Sequence, residues 1–325
     1  MRFRLATSQD KEYVLNFCKN TFSWGDYIDR VWDIWISEPN SILLVAEIEN
    51  RIKEKKPIAI AHGILIPEKT IWIEGIRVNQ EYRKQKLATN LINHIVEYGR
   101  KREAVYSAAI VSVNNEASKI VMKKSGFEVI SKWSYISNDQ MLLPNSNLIA
   151  NFKIADSNDY QQIINFLKKS NIFRTSGKKF VKSWRWYDLT NDRLLTMIYN
   201  KQVIIVGKND DNDHNNNGDE NNDKDKLLQI RGIAIIDREG YWNNQNIFQI
   251  VYIDADSEDL LLFLVNKSLK LTLKQNEKYS NKKNKNKYER IQIFSPYREY
   301  ISRIFTKSKS NIIFSEQFLL YYKRI

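Results

Sequence analysis

The sequence predicts an α+β protein of two tandem domains, each a mixed, mostly antiparallel twisted sheet flanked by helices. Three observations lead there. The second half of the chain echoes the first, strands of alternating polarity form a hairpin in each half, and segments with helical apolar spacing bracket each hairpin. At 325 residues the chain is long enough for two domains that each bury a core.

The echo is clearest at the start of each half. Phe3-Arg4-Leu5-Ala6-Thr7-Ser8-Gln9-Asp10 is answered by Phe152-Lys153-Ile154-Ala155-Asp156-Ser157-Asn158-Asp159, and most positions keep their chemical type. Each octet reads as a short strand followed by a helix start. Each leads into a helix, with Val14, Leu15, Phe17 and Cys18 on the apolar stripe of one and Ile163, Ile164, Phe166 and Leu167 on that of the other.

Both halves then follow one order. Aromatic-rich segments read as helical, FSWGDYIDRVWDIW and FVKSWRWYDL, come first. A hairpin follows, SILLVAEI to PIAIAHGILI in one half and LLTMIYNKQVIIV to LQIRGIAIID in the other. Next come a strand, TIWIEGIRV or IFQIVYI, and a helix, LATNLINHIVEYG or SEDLLLFLVNKSLKL. Strand, helix and two strands close each half. A period of about 150 residues is far too long for a solenoid and implies duplication of a whole domain. The expected boundaries are 1–143, a linker at 144–150, and 151–325. The polar stretch 207–226 is expected as a disordered insert and the Lys/Asn-rich stretch 276–288 as a solvated loop.

Composition narrows the function. Apolar residues at 42% and charged residues at 27% are the balance of a folded globular protein. The formal charge of +13 favours polyanionic or phosphorylated ligands, although much of the excess sits in the Lys/Asn tract. Cys18 is the only cysteine, so no intrachain disulfide is possible. No signal-like or membrane-length apolar run is present, and a cytoplasmic protein is expected. Asp213, Asn215, Asn217 and Gly218 imitate the start of a calcium loop, but Lys224 stands where the closing glutamate belongs, so no metal site is expected.

The segment with chemical content is TIWIEGIRVNQEYRKQKLATNLINHIVEYG. A strand ends at Val78, a turn carries Arg83, Lys84 and Lys86, and a helix opens near Leu87 with Leu91, Ile92, Ile95 and Val96 on its apolar face. Unpaired N–H groups at such a helix start, with basic side chains beside them, form an anion site.

On these residues the chain resembles the GNAT acetyltransferase superfamily. The family's R/Q-x-x-G-x-G/A motif stands here as Arg83-Lys84-Gln85-Lys86-Leu87-Ala88, with Lys86 in place of the middle glycine. Upstream, Glu74-Gly75-Ile76-Arg77-Val78 looks like the family's bulged strand. Downstream, Asn115 followed by Gly126-Phe127 resembles its N-x-x-A…G-F signature. The run Asp26-Tyr27, Trp35 and Glu38-Pro39-Asn40 is similar to vertebrate histidine N-acetyltransferases and prokaryotic GNAT proteins.

The resemblance implies two GNAT-like domains, the second degenerate, and acetyl-CoA as the acyl donor. It places the cofactor on Ile76, Arg77, Val78, Arg83, Lys84, Gln85, Lys86, Leu87, Ala88, Thr89 and Asn115, with a backbone N–H near Ile76 to Val78 facing the thioester oxygen. The expected reaction is direct attack by a primary amine of a small molecule, amino acid or protein.

Proton removal needs a base, and Glu74 is the candidate, because simple alternation puts it on the face of Ile76 and Val78. The position where many family members carry an acidic tyrosine is Met122, which leaves Tyr135 as candidate acid or the thiolate to depart unaided. Trp24, Asp26 and Tyr27 are candidate acceptor-binding residues, with Trp133 and Tyr135 as further walls. Trp32, Trp35 and His62 read as structural. In the second half, Asp254-Ala255-Asp256-Ser257-Glu258-Asp259 stands where the basic turn would be and would repel a diphosphate.

The alternative is a non-catalytic GNAT-like binding or regulatory protein, which Lys86 and Met122 permit. A nucleic-acid factor is not expected, since no recognition motif accompanies the positive charge. No membrane partner is expected, and a tandem chain serves as a monomeric pseudo-dimer or as a homodimer.

Overall fold

The computed structural model describes residues 1–19, 21, 25–49, 55–138, 148–209, 228–237, 247–279, 290–296 and 312–325. The elements of the first half are β1 (Arg2–Leu5), α1 (Lys11–Cys18), α2 (Ile28–Ser37), β2 (Ser41–Glu49), β3 (Lys55–Ile66), β4 (Thr70–Val78), α3 (Leu87–Arg100), β5 (Tyr106–Ser112), α4 (Glu116–Lys124) and β6 (Glu128–Asn138). Those of the second are β7 (Asn151–Ile154), α5 (Tyr160–Lys169), α6 (Asn171–Thr175), β8 (Lys179–Lys182), β9 (Arg185–Asp188), α7 (Asn191–Tyr199), β10 (Val203–Asn209), β11 (Leu228–Asp237), β12 (Ile247–Ala255), α8 (Glu258–Tyr279), β13 (Arg290–Pro296) and β14 (Ile312–Arg324). A mixed sheet flanked by helices is the fold class expected.

Two compact units form, Met1–Ile130 with Leu319–Ile325, and Ser131–Phe318. They do not divide at the linker anticipated from sequence. Most of β6 joins the second unit, where it pairs antiparallel with β13 from Trp133↔Pro296 to Asn138↔Ile291. The end of β14 joins the first unit, where Tyr321 is buried in the core and the Ile325 N–H donates to the Val105 carbonyl at 2.9 Å. Alternating polarity shows that a strand exists but not which neighbour it bonds.

In the first unit the strand order is β1-β2-β3-β4-β5 followed by the end of β14, antiparallel through β4 and parallel between β4 and β5. The stripe read from sequence on α3 is the one that packs. Leu87, Leu91, Ile92, Ile95 and Val96 are all buried, against Ala59, Ala61, Ile71 and Ile73 of the sheet. Each such side chain contributes roughly 2 kcal/mol of burial. On the other face, Ile28, Val31, Trp32 and Trp35 of α2 are buried, which agrees with the structural reading of the two tryptophans.

The echoed octets share one ion pair. Arg4 donates two hydrogen bonds to Asp10, at 2.7 and 2.8 Å, and Asp10 also accepts from the Thr7 N–H at 2.8 Å. Burial pushes the Asp10 carboxyl up, but Arg4 and Thr7 outweigh it and hold it below its usual range. At the matching places of the second half, Lys153 lies 2.8 Å from Asp159, and Asp159 accepts from the Asp156 N–H at 2.9 Å.

The second unit orders its strands β6-β13-β12-β11-β10-β7, with β8 and β9 as a separate hairpin. That hairpin corrects the helical reading of FVKSWRWYDL. Lys182 pairs with Arg185 across Ser183 (φ 52°) and Trp184 (φ 60°), a two-residue turn with both central residues left-handed. Ring contacts of Trp184 with Tyr135 at 4.7 Å and Phe294 at 5.1 Å hold a conformation that its own propensity disfavours.

LLTMIY likewise belongs to a helix, α7, capped by the Thr190 hydroxyl accepting from the Arg193 N–H. Its leucines and isoleucine satisfy either period, and the cap decides. The expected insert begins later than 207, because Gly207 to Asn209 continue β10, and α8 runs to Tyr279 into the stretch expected as a loop. The rest of both stretches, the calcium-like motif and residues 144–147 of the linker lie outside the described residues. No helix among the described residues is long and apolar enough to cross a membrane.

Candidate active site

The site is built around an irregularity in β4. His62 of β3 pairs with Glu74, but Ile60 pairs with Arg77, so the single residue Ala61 of β3 faces two residues of β4. The extra residue is a β-bulge at Gly75 and Ile76. Gly75 sits at φ +66°, and a Cβ there would lie 2.4 Å from Cη2 of Trp35. Both backbone and space require glycine.

The bulge resets the alternation of the strand. Ile73 packs into the α3 core, and so do Ile76 and Val78 beyond the bulge. Glu74 points the other way, toward His62 and Trp35. The expectation that Glu74 shares a face with Ile76 and Val78 is therefore corrected, because simple period-two counting omits the inserted residue.

A second irregularity opens the sheet. The parallel ladder between β4 and β5 runs through Thr70↔Tyr106, Ile71↔Ser107 and Trp72↔Ala108 and stops there. Ile73 to Val78 and Ala109 to Ser112 continue without pairing to each other, leaving backbone N–H and C=O groups along the gap for a ligand.

The start of α3 suits an anion. Lys86 is its N-cap residue, with no side-chain cap, and its first turn carries no acidic residue. Asn90 is the first residue whose N–H bonds back, to the Lys86 carbonyl at 2.9 Å, so the amides of Leu87, Ala88 and Thr89 have no acceptor within the helix. Lys84 (φ 63°) and Lys86 (φ 59°) are both left-handed, as a turn built for glycine would be. Arg83, Lys84, Gln85 and Lys86 are exposed, and Arg83 Nε donates to the Val78 carbonyl at 3.4 Å. An uncapped helix start edged with three cations fits a diphosphate.

On the α2 face, His62 is buried with its ring stacked on Trp35, centroids 4.5 Å apart and planes 2° from parallel. Its Nδ1 lies 3.0 Å from Glu74 Oε1, and its Nε2 lies 3.7 Å from Glu38 Oε2. Glu74 and Glu38 keep 13% and 19% of their side-chain surface exposed, so both reach solvent from a buried histidine. The His62 and Glu38 connection escapes sequence reasoning, since it depends on strand register and on where α2 ends.

Asp26 and Tyr27 are engaged with Arg77. Arg77 donates to Asp26 at 2.7 and 3.1 Å, and its guanidinium lies 5.1 Å from the Tyr27 ring centroid. Burial works against the Arg77 charge, but Tyr27 and Asp26 outweigh it. Burial also pushes the Tyr27 hydroxyl above its usual range, and it pushes the Cys18 thiol up to about 12, with the Asp26 charge adding to it, so Cys18 is no nucleophile.

Asn115 caps α4, its Oδ1 accepting from the Ser118 N–H at 3.0 Å. Met122 is buried in the first unit's core. Tyr135 belongs to the second unit, buried with its ring 5.0 Å from that of Phe294. Trp133 is buried there too, donating to Ser131 at 3.1 Å. Trp24 lies outside the described residues. In the second unit, Asp254 is buried and accepts from Ser170 and from Tyr252, and Asp256 lies 3.1 Å from Arg231.

The family model of the Acetyltransferase (GNAT) family matches residues 10–127, the stretch that holds the bulge, the gap and the basic helix start. Residues 10–127 form a domain of the GNAT acetyltransferase family. Solved structures share the fold of the chain at low identity. A GCN5-related N-acetyltransferase of Sphaerobacter thermophilus is 10% identical over 99% of this chain and 95% of its own, with a TM-score of 0.60. A Thermoplasma acidophilum protein provisionally named an acetyltransferase is 13% identical over the whole of both chains, with a TM-score of 0.51. No curated relative matches by sequence.

Two substitutions test this geometry. Gly75→Ala in the GNAT domain must both strain the backbone and displace the Trp35 ring, and is expected to lower unfolding free energy by about 2–4 kcal/mol in urea melts. Lys86→Gly removes left-handed strain from a lysine and is expected to raise stability by about 1 kcal/mol in the same assay.

Proposed function

We propose that the protein transfers the acetyl group of acetyl-CoA to a primary amine by direct attack, with Glu74 taking the surplus proton. The observation that carries this reading is the coincidence, in one domain, of a bulged β4, a gap between β4 and β5, and an uncapped basic start to α3. Acetyl-CoA, when bound, supplies an acetyl carbonyl activated as a thioester.

The chain's own residues supply the rest. The amides of Leu87, Ala88 and Thr89, with Arg83, Lys84, Gln85 and Lys86 around them, hold the diphosphate. Backbone N–H groups between Ile76 and Val78 that face the gap beside β5 donate to the acetyl oxygen as negative charge develops on it. Glu74, on the same bulge, removes the proton of the incoming ammonium, and Asp26 and Tyr27 stand beside it on the α2 face. A thiolate is a good enough leaving group to depart without a proton donor, so Tyr135 is not required.

The shared Arg4–Asp10 and Lys153–Asp159 construction supports reading residues 151–325 as a second, degenerate copy of the fold. Glu258 and Asp259 in the first turn of α8 disfavour a diphosphate there. Met122, buried where a tyrosine acid is common in the family, favours a second reading, a GNAT domain that binds acetyl-CoA without turning it over.

Acetyl-CoA at a hundred times its dissociation constant is expected to stabilise the protein by about 2.7 kcal/mol in thermal shift. With a responsive amine, Glu74→Gln is expected to lower kcat about a hundredfold at neutral pH while the KM for acetyl-CoA changes little. Stabilisation without thiol release from any amine supports the second reading, and an unchanged kcat in Glu74→Gln removes Glu74 as base.

A further inference from the structure

His62 has no exposed surface, yet only its Nδ1 has a hydrogen-bond partner. That partner is Glu74 Oε1 at 3.0 Å, directly across the ladder between β3 and β4. Nε2 faces Glu38 Oε2 at 3.7 Å, beyond hydrogen-bond length but well within reach of its charge. A buried nitrogen left without a partner costs about 1–3 kcal/mol. An apolar side chain would fill the same space without that cost, so packing alone does not account for an imidazole here.

The ring is also held rigidly. Trp35 lies flat on it, and Trp35 in turn occupies the space that a Cβ on Gly75 would need. The bulge, the indole, the imidazole and the Glu74 carboxylate thus form one chain of contacts, from the backbone irregularity to the candidate base. The two ring nitrogens each face a different carboxylate, and one ligand atom from each of Glu38, His62 and Glu74 lies within 4.8 Å of the others.

We infer that His62 is the positioning residue of the acyl-transfer site, fixing the Glu74 carboxylate from Nδ1. This rests on the reading of Glu74 as base. With its single proton on Nδ1, the neutral ring donates to Glu74 and locks its rotamer. The N–H bond of the acceptor ammonium then breaks, an O–H bond forms on Glu74, and the bonding pair stays on nitrogen as the attacking lone pair.

Among the described residues, Glu38 at the end of α2 and Glu74 on β4 are the charged groups facing the ring, Trp35 covers it, and Tyr27, Asp26 and Arg77 flank the Glu74 side.

Two measurements test this on the full chain. Long-range proton–nitrogen spectra with ring-labelled histidine report the His62 tautomer without any substrate, the His62 signal being assigned by its loss in His62→Asn. The Nδ1–H form is expected at neutral pH, with its shifts moved in Glu74→Gln. Thiol release from acetyl-CoA, with spermidine, tyramine and free amino acids as acceptor probes, reports the catalytic role. His62→Leu is expected to lower kcat at least tenfold, with the KM for acetyl-CoA changed less than about twofold. His62→Asn, whose amide can donate in place of Nδ1, is expected to recover kcat to within about fivefold.

Wild-type kcat in folded His62→Leu overturns the inference, as does an Nε2–H tautomer indifferent to Glu74→Gln. If His62→Leu fails to fold, His62→Asn decides, and a kcat in it lowered as far as by Glu74→Gln overturns the inference. Should the spectra show the coupling while the wild type releases no thiol with any probe, the acetyl-transfer reading fails and takes the catalytic role of His62 with it.

Discussion

The extra residue that β4 accommodates at Gly75 and Ile76 decides which side chains meet at the site, and it exists only because Gly75 has no Cβ to meet Trp35. Without it, strict alternation from Ile71 and Ile73 would turn Ile76 and Val78 away from the α3 core and send Arg77 into it. With it, Glu74 and Arg77 share the α2 face, Ile76 and Val78 keep the core, and Gly75 and Ile76 stand outside the ladder with β3. The buried Trp35 is therefore more than filling, since its ring sets the strand irregularity and also stacks on the histidine bonded to Glu74. A core residue and a site residue are here one object.

The anion site shows a different economy. In the family motif a glycine stands where this chain has Lys86, and the backbone there keeps the left-handed conformation that a glycine would take. The lysine bears a conformational cost of about 1–2 kcal/mol and places a positive charge at the mouth of α3. Strain retained at a binding turn, in exchange for charge where a polyanion would rest, fits a ligand held by its phosphates.

Much of the fold was legible because the deciding information was local. The α3 stripe from Leu87 to Val96, the bulged strand at Glu74 to Val78, and the basic turn at Arg83 to Lys86 all came from spacing or motif, and the structure has them in place. The errors share a cause. FVKSWRWYDL and LLTMIY carry apolar residues that satisfy either period, and a left-handed Ser183-Trp184 turn or a Thr190 cap settles the matter. The face of Glu74 was misjudged by a single inserted residue. The partners of β6 and β14, and the meeting of Glu38 with His62, depend on contacts between distant segments that no local pattern encodes.

The central claim is that the diphosphate of the acyl carrier rests on the start of α3 while its arm lies along the released edge of β4. A backbone amide titration with CoA, followed by nitrogen–proton correlation spectra, tests it most directly. The account predicts the largest shifts at Leu87, Ala88 and Thr89 and between Gly75 and Val78, with the helix-start shifts diminished when pantetheine replaces CoA. Saturable CoA binding that leaves both groups of amides unmoved would contradict it.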